Sequence, residues 1–239
     1  MDRNFARALA LVLKSEGGWS DNPADPGGAI MKGVTLANFR RYVKADATKA
    51  DLRGIHDGQI ATIYRRFYWD AVHGAELPDG VDHAVFDFAV NSGPGRAAKY
   101  LQAAVGVAQD GRIGPVTLSA ANAKPAGVII DALCDARLTF LKRLPTWPTF
   151  GRGWSDRVKS VRIQALLMSA QRQAAAAPEP VAQPPEVEKP AAEAPAIQPG
   201  PSASPSGGKA AAAAGIVVLM AGTLAVFWHH VTEFFGSVF

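Results

Sequence analysis

The sequence predicts a mainly α fold: a helical domain with one small β-hairpin or loop element, then a disordered linker and a single transmembrane helix. Three observations lead there. From Met1 to about Arg172 the sequence mixes apolar and charged residues as a globular domain does, with segments that read as helices. From 174 to 209 the text turns to Ala, Pro, Glu, Gln, Ser and Gly, which cannot bury a core and favours extended chain. From 210 to 228 it is apolar without one charge, close to the roughly 20 residues that a bilayer core requires of a helix. A buried helix of a soluble domain is the other reading of that run, but such a linker leaves it no core to enter.

The elements follow in order. Phe5, Ala8, Leu9, Val12 and Leu13 recur at helical spacing, so the chain opens with an amphipathic helix, capped by Asn4 or Asp2 and ended by Gly17-Gly18. Asp21-Asn-Pro-Ala-Asp-Pro-Gly-Gly28 is dense in turn formers. Val34-Thr35 closes a small hairpin ahead of a helix at about 36–44. Further helices are expected at 57–73, 79–91, 94–106, 114–122, 126–143 and about 154–174. Nothing reads as a multi-stranded sheet or a fixed-period repeat.

Charge is unevenly spread. The whole chain carries +4, while residues 1–172 hold 23 Lys and Arg against 16 Asp and Glu, a net +7. A basic domain suits an anionic polymer, and nucleic acid and bacterial cell wall both qualify. A modest Lys/Arg excess serves solubility equally well. No nucleic-acid motif accompanies the charge, so nucleic acid is not expected as a partner. Cys134 is the only cysteine, so an intramolecular disulfide is excluded and a small core residue is expected. The opening residues lack the apolar region and cleavage site of a signal peptide. His56, His73 and His83 have no metal spacing, and HExxH, GxSxG and phosphate-loop motifs are absent, so neither metal nor cofactor is expected.

Glu16 stands out. It falls about three helical turns beyond Phe5, on the apolar face of the first helix and at its C-terminal end. Desolvation and the negative end of the helix dipole would both raise its pKa. A raised carboxyl pKa is what a general acid needs near neutral pH. The helix pattern alone equally admits a Glu at a frayed end, reaching solvent.

Glu16-Gly-Gly-Trp-Ser-Asp-Asn-Pro-Ala-Asp-Pro-Gly-Gly28, followed by Lys32-Gly-Val-Thr35, resembles the signature of glycoside hydrolase family 108, the N-acetylmuramidase endolysins. Phe67-Tyr-Trp69, Val85-Phe-Asp-Phe-Ala-Val-Asn-Ser-Gly93, Leu101-Gln102 and Asp110-Gly-Arg-Ile-Gly-Pro-Val-Thr117 agree in the same order, over about residues 5–165. The resemblance implies a lysozyme-like helical fold and carries the family's catalytic acid over to Glu16. Two departures stand beside it. The motif aromatic, commonly Tyr, is Trp19, which still offers a face for sugar stacking. Gly28-Ala-Ile-Met31 replaces a more polar stretch, which bears on affinity or specificity if those residues touch substrate.

Asp25 and Thr35 follow Glu16 in the Glu, Asp, Thr order of phage lysozymes, with a longer final gap. Asp25 would stabilise positive charge at the anomeric carbon or orient a water; it reads as readily as a turn residue before Pro26. Thr35 has a structural reading too. Asp87 and Asn91, one helical turn apart, either line the cleft opposite Glu16 or tie helix ends together. Trp69 joins Phe67 and Tyr68 as a sugar platform or as core.

The layout is therefore a lysozyme-like catalytic region at 1–93 and a helical region at 94–173 packed on it, similar to peptidoglycan-binding modules. The linker at 174–209, the transmembrane helix at 210–228 and a short tail at 229–239 complete it. The expected partners are peptidoglycan glycan strands, the bacterial host inner membrane through 210–228, and a holin. The expected place is the membrane, reached without a cleaved signal, with action on the wall during lysis. The competing readings are a non-catalytic, membrane-tethered peptidoglycan-binding protein and a holin-like lysis protein.

Overall fold

The computed structural model describes residues 4–22 and 28–176. The last described helix (Trp147–Ala176) takes in the first three residues set for the linker, and the linker from 177 on, the 210–228 run and the C-terminal tail lie outside the described residues. Among the described residues no helix is long and apolar enough to cross a membrane. The fold is mainly helical, as the periodicity predicts.

Helix α1 (Phe5–Leu13) buries Phe5, Ala8, Leu9 and Val12. It ends earlier than its Gly pair suggests: Lys14 is its C-cap, and single-turn bonds carry the chain on to Glu16. Asn4 holds the N-cap position, its carbonyl accepting from Ala8 N–H, but its side chain makes no capping bond. Its side-chain nitrogen donates instead to Asp79 (2.8 Å) and Asp82 (2.7 Å), tying the start of α1 to the start of a later helix.

Three two-residue strands follow, β1 (Trp19–Ser20), β2 (Ile30–Met31) and β3 (Val34–Thr35), antiparallel in the order β1-β2-β3. Trp19 pairs with Met31 and Val34 with Met31, so the element is one strand larger than a hairpin. Lys32 and Gly33 turn β2 into β3 with φ of 47° and 73°. Positive φ at both central residues matches the right-handed twist of flanking strands, and glycine adopts it without strain.

Thr35 then caps α2 (Leu36–Tyr42) by accepting from Asn38 N–H. Reciprocal capping boxes start α3 (Lys49–Arg53) at Thr48 and α4 (Asp57–Tyr64) at His56. The single helix expected over 57–73 does not persist. After α4 the chain widens into one π turn, Arg65–Trp69, and tightens into a 3-10 turn, Asp70–Val72. A π turn inserts an extra residue into the winding, so side chains beyond it change face. Tyr68 and Trp69 both end up buried.

Helix α5 (Val81–Ser92) has all twelve residues buried. It contacts α1, α8 (Ala126–Lys142), α9 (Trp147–Ala176) and α6 (Pro94–Val105), while α7 (Pro115–Ala123) packs on α6 and α8. Pro94 and Pro115 open α6 and α7 at a position where no N–H is needed. Phe86 meets Phe5 and Trp69 on one side of α5, and Phe88 meets Tyr100 and Phe140 on the other. A helix buried all round must satisfy its polar side chains inside the protein. On α5 these include Asp82, His83, Asp87 and Asn91.

Candidate active site

Glu16 emerges from the end of α1 into the space between the β-turn, α4, α5 and α9. Its side chain is 1% exposed. One oxygen, Oε1, accepts from Arg157 Nη1 at 3.1 Å. The other, Oε2, has no hydrogen-bond partner among the described residues. Gly33 brings its backbone against this second oxygen: a Cβ there would stand 3.0 Å from Oε2 and would collide with the Tyr64 hydroxyl. That hydroxyl donates to the Lys32 carbonyl (2.9 Å), fixing the β2–β3 turn over the carboxyl.

Burial pushes the Glu16 carboxyl above its ordinary value; Arg157 pulls it back and the Asp87 charge pushes it up again, for a net rise. The direction agrees with the sequence-based expectation. The main cause is desolvation. Burial likewise holds the Tyr64 and Tyr68 hydroxyls above their ordinary value, with the Glu16 charge adding to the effect.

Arg157 on α9 bridges two carboxylates. Its Nε and Nη2 grip Asp87 at 3.0–3.2 Å while Nη1 reaches Glu16. Asp87, 2% exposed, also accepts from Arg137 Nη1 at 2.7 Å. Arg137 Nη2 donates to Asn91 Oδ1 at 3.1 Å, and its guanidinium lies 5.1 Å from the Phe88 ring centre. Burial works against the Asp87 charge, but the two guanidinium groups overcome it and hold the carboxyl below the usual carboxylate range. Two carboxylates on one arginine thus have opposite proton affinities.

The other expected site residues sit as follows. Asp25 lies outside the described residues. Thr35 is buried and its hydroxyl caps α2. Trp19 is half-buried in β1, and the Arg53 guanidinium covers one ring face at 4.3 Å. Asp87 and Asn91 come together behind Glu16 in the arginine network, tying α5 to α8 and α9. Trp69 is 1% exposed, stacked edge-on between Phe5 and Phe86, so it offers no ring face at the surface. Gly74 packs directly on its indole, where any side chain would clash.

Arg157 and Arg137 were missed by the sequence reading. Arg137 had a signal: it shares a helix face with Ile130, Leu133, Cys134 and Leu141, the same anomaly that singles out Glu16. Arg157 borders the buried stripe of Val158, Val161 and Ala165, where an arginine is unexceptional.

Residues 9–93 match the family model described as Glycosyl hydrolase 108, and residues 96–159 match one described as a predicted peptidoglycan domain. The solved structure of Brucella abortus SagA is 48% identical and superposes with a TM-score of 0.63, the match covering 71% of this chain and 97% of that one. No curated protein matches the chain at a significant level. The ordered motif, the helical fold and these matches place the chain in glycosyl hydrolase family 108, as a lysozyme-like, peptidoglycan-degrading glycoside hydrolase.

Proposed function

We propose that this enzyme hydrolyses the β-1,4 bond after N-acetylmuramic acid in peptidoglycan, with Glu16 as general acid. The observation that carries the reading is the Glu16 carboxyl itself: buried, raised in proton affinity, and held through Oε1 alone. Oε2, the oxygen that Arg157 does not hold, then carries the proton to the glycosidic oxygen as the leaving sugar departs. Because the side chain is shielded at rest, reaction requires an opened state in which Oε2 meets the glycan. Asp25 is assigned the second role, stabilising positive charge at the anomeric carbon or orienting the attacking water. Trp19, close in sequence to Glu16, supports a sugar ring on the face that Arg53 leaves open.

Residues 94–173 serve as the wall-binding part, a role supported by the 96–159 match. The uncharged 210–228 run anchors the enzyme in the host inner membrane during phage-type lysis, with a holin giving it access to the wall. Its support is composition alone. Mass spectrometry of fragments released from purified peptidoglycan tests the activity. Fragments ending in reducing N-acetylmuramic acid are expected; reducing N-acetylglucosamine or free peptides would contradict it. Full-length protein that stays with membranes through alkaline carbonate washing supports the anchor, and release into the wash counts against it.

A further inference from the structure

Asp87 is too deeply paired to touch a glycan strand, yet it shares Arg157 with the candidate acid. The sharing is unequal. Asp87 takes three of the four contacts that Arg157 makes with the two carboxylates, using both of its oxygens, while Glu16 takes one. A planar guanidinium satisfies a carboxylate best through two parallel N–H donors, and here that paired geometry is spent on Asp87. Arg137 also donates to Asp87 Oδ1 at 2.7 Å, so a second arginine anchors the carboxylate that Arg157 grips.

We propose that Asp87 is a positioning residue that acts through Arg157, drawing the guanidinium onto itself so that Glu16 keeps a proton to donate. The proposal rests on the reading of Glu16 as the acid. Without Asp87, Arg157 would be free to turn its paired donors onto Glu16, and the carboxyl would ionise and lose its use as an acid. Without Arg157, Glu16 would face the negative charge of Asp87 unshielded and would hold its proton to higher pH. Among the described residues, the ionisable groups around this pair are Arg157 from α9, Tyr64 from α4, Tyr68 from the π turn, Arg137 from α8 and His83 from α5 itself. Both tyrosines and His83 are buried and displaced toward their neutral forms, so among the described residues the two carboxylates and two arginines carry the charge around Glu16.

The test uses two full-length variants whose effects run in opposite directions. Arg157→Gln leaves the Asp87–Arg137 pair in place. Asp87→Asn with Arg137→Gln removes both members of that buried pair together, which avoids stranding one charge. Each variant is followed by the basic limb of kcat/KM against pH and by NMR titration of the Glu16 carboxyl, whose signal is identified by its loss in Glu16→Gln. Arg157→Gln should move the limb and the titration up by about one pH unit or more, and the double variant should move both down by about as much. If both variants leave the Glu16 titration unchanged, or shift it the same way, the proposal is overturned. If the double variant does not fold, Arg157→Gln decides alone: a Glu16 titration that fails to rise overturns it. The NMR arm needs no activity, so a Glu16 that titrates as described in an enzyme indifferent to Glu16→Gln would refute the general-acid reading and leave the coupling standing.

Discussion

Arg157 and Glu16 stand 141 residues apart in the chain and 3.1 Å apart in space, joined by one hydrogen bond at the end of α1. The contact makes the first helix and the last described helix parts of a single site. It also sets a sign for pH dependence. A carboxyl raised above its ordinary 4.5 stays protonated past that pH, and the acid is lost only as pH climbs through the raised value. The basic limb of kcat/KM should therefore lie above pH 4.5. A limb at or below 4.5, measured by reducing-end release, would mean that the residue titrating there is not this carboxyl.

Gly33 should be intolerant of any side chain. Alanine there meets two penalties: a φ of 73°, worth about 1–3 kcal/mol of strain, and a collision with the Tyr64 hydroxyl beside Glu16 Oε2. Gly28 has a similar φ of 67°, and among the described residues nothing lies within 4 Å of where its Cβ would stand, so Gly28→Ala isolates the strain. Thermal denaturation should rank Gly33→Ala well below Gly28→Ala, with hydrolysis lost in the former. Equal stability and activity in the two would mean that the turn does not press on the acid.

Trp69 is expected to matter for folding alone. Removing a fully buried indole between Phe5 and Phe86 should cost about 3–5 kcal/mol in Trp69→Ala. Trp69→Phe should keep KM and kcat per folded molecule. A raised KM with an unchanged Tm would restore Trp69 to the sugar-binding surface.

How far the sequence reaches depends on whether a residue's role is local. The α1 stripe and Glu16's anomalous place beside it were legible because both follow from a short periodic run. So were the openings of α6 and α7, where proline marks the first turn. Trp69 was ambiguous because it closes the π turn, where the helix phase changes, and no composition cue marks that turn. Asp87 and Asn91 were ambiguous because α5 is buried all round, so periodicity assigns it no outward face. Their partners come from α8 and α9, and only tertiary packing brings them together.

The central claim is that Glu16 donates the proton, and its most direct test is Glu16→Gln. Glutamine matches glutamate in size and still accepts from Arg157 through its amide oxygen, so the site stays filled. It has no acidic proton to give. General-acid help is commonly worth about 10²–10⁴ in rate, and hydrolysis of purified peptidoglycan should fall at least that far. Circular dichroism run in parallel should retain the helical signal, and binding to sacculi should persist. A folded Glu16→Gln protein that releases reducing ends at near the wild-type rate would contradict the account.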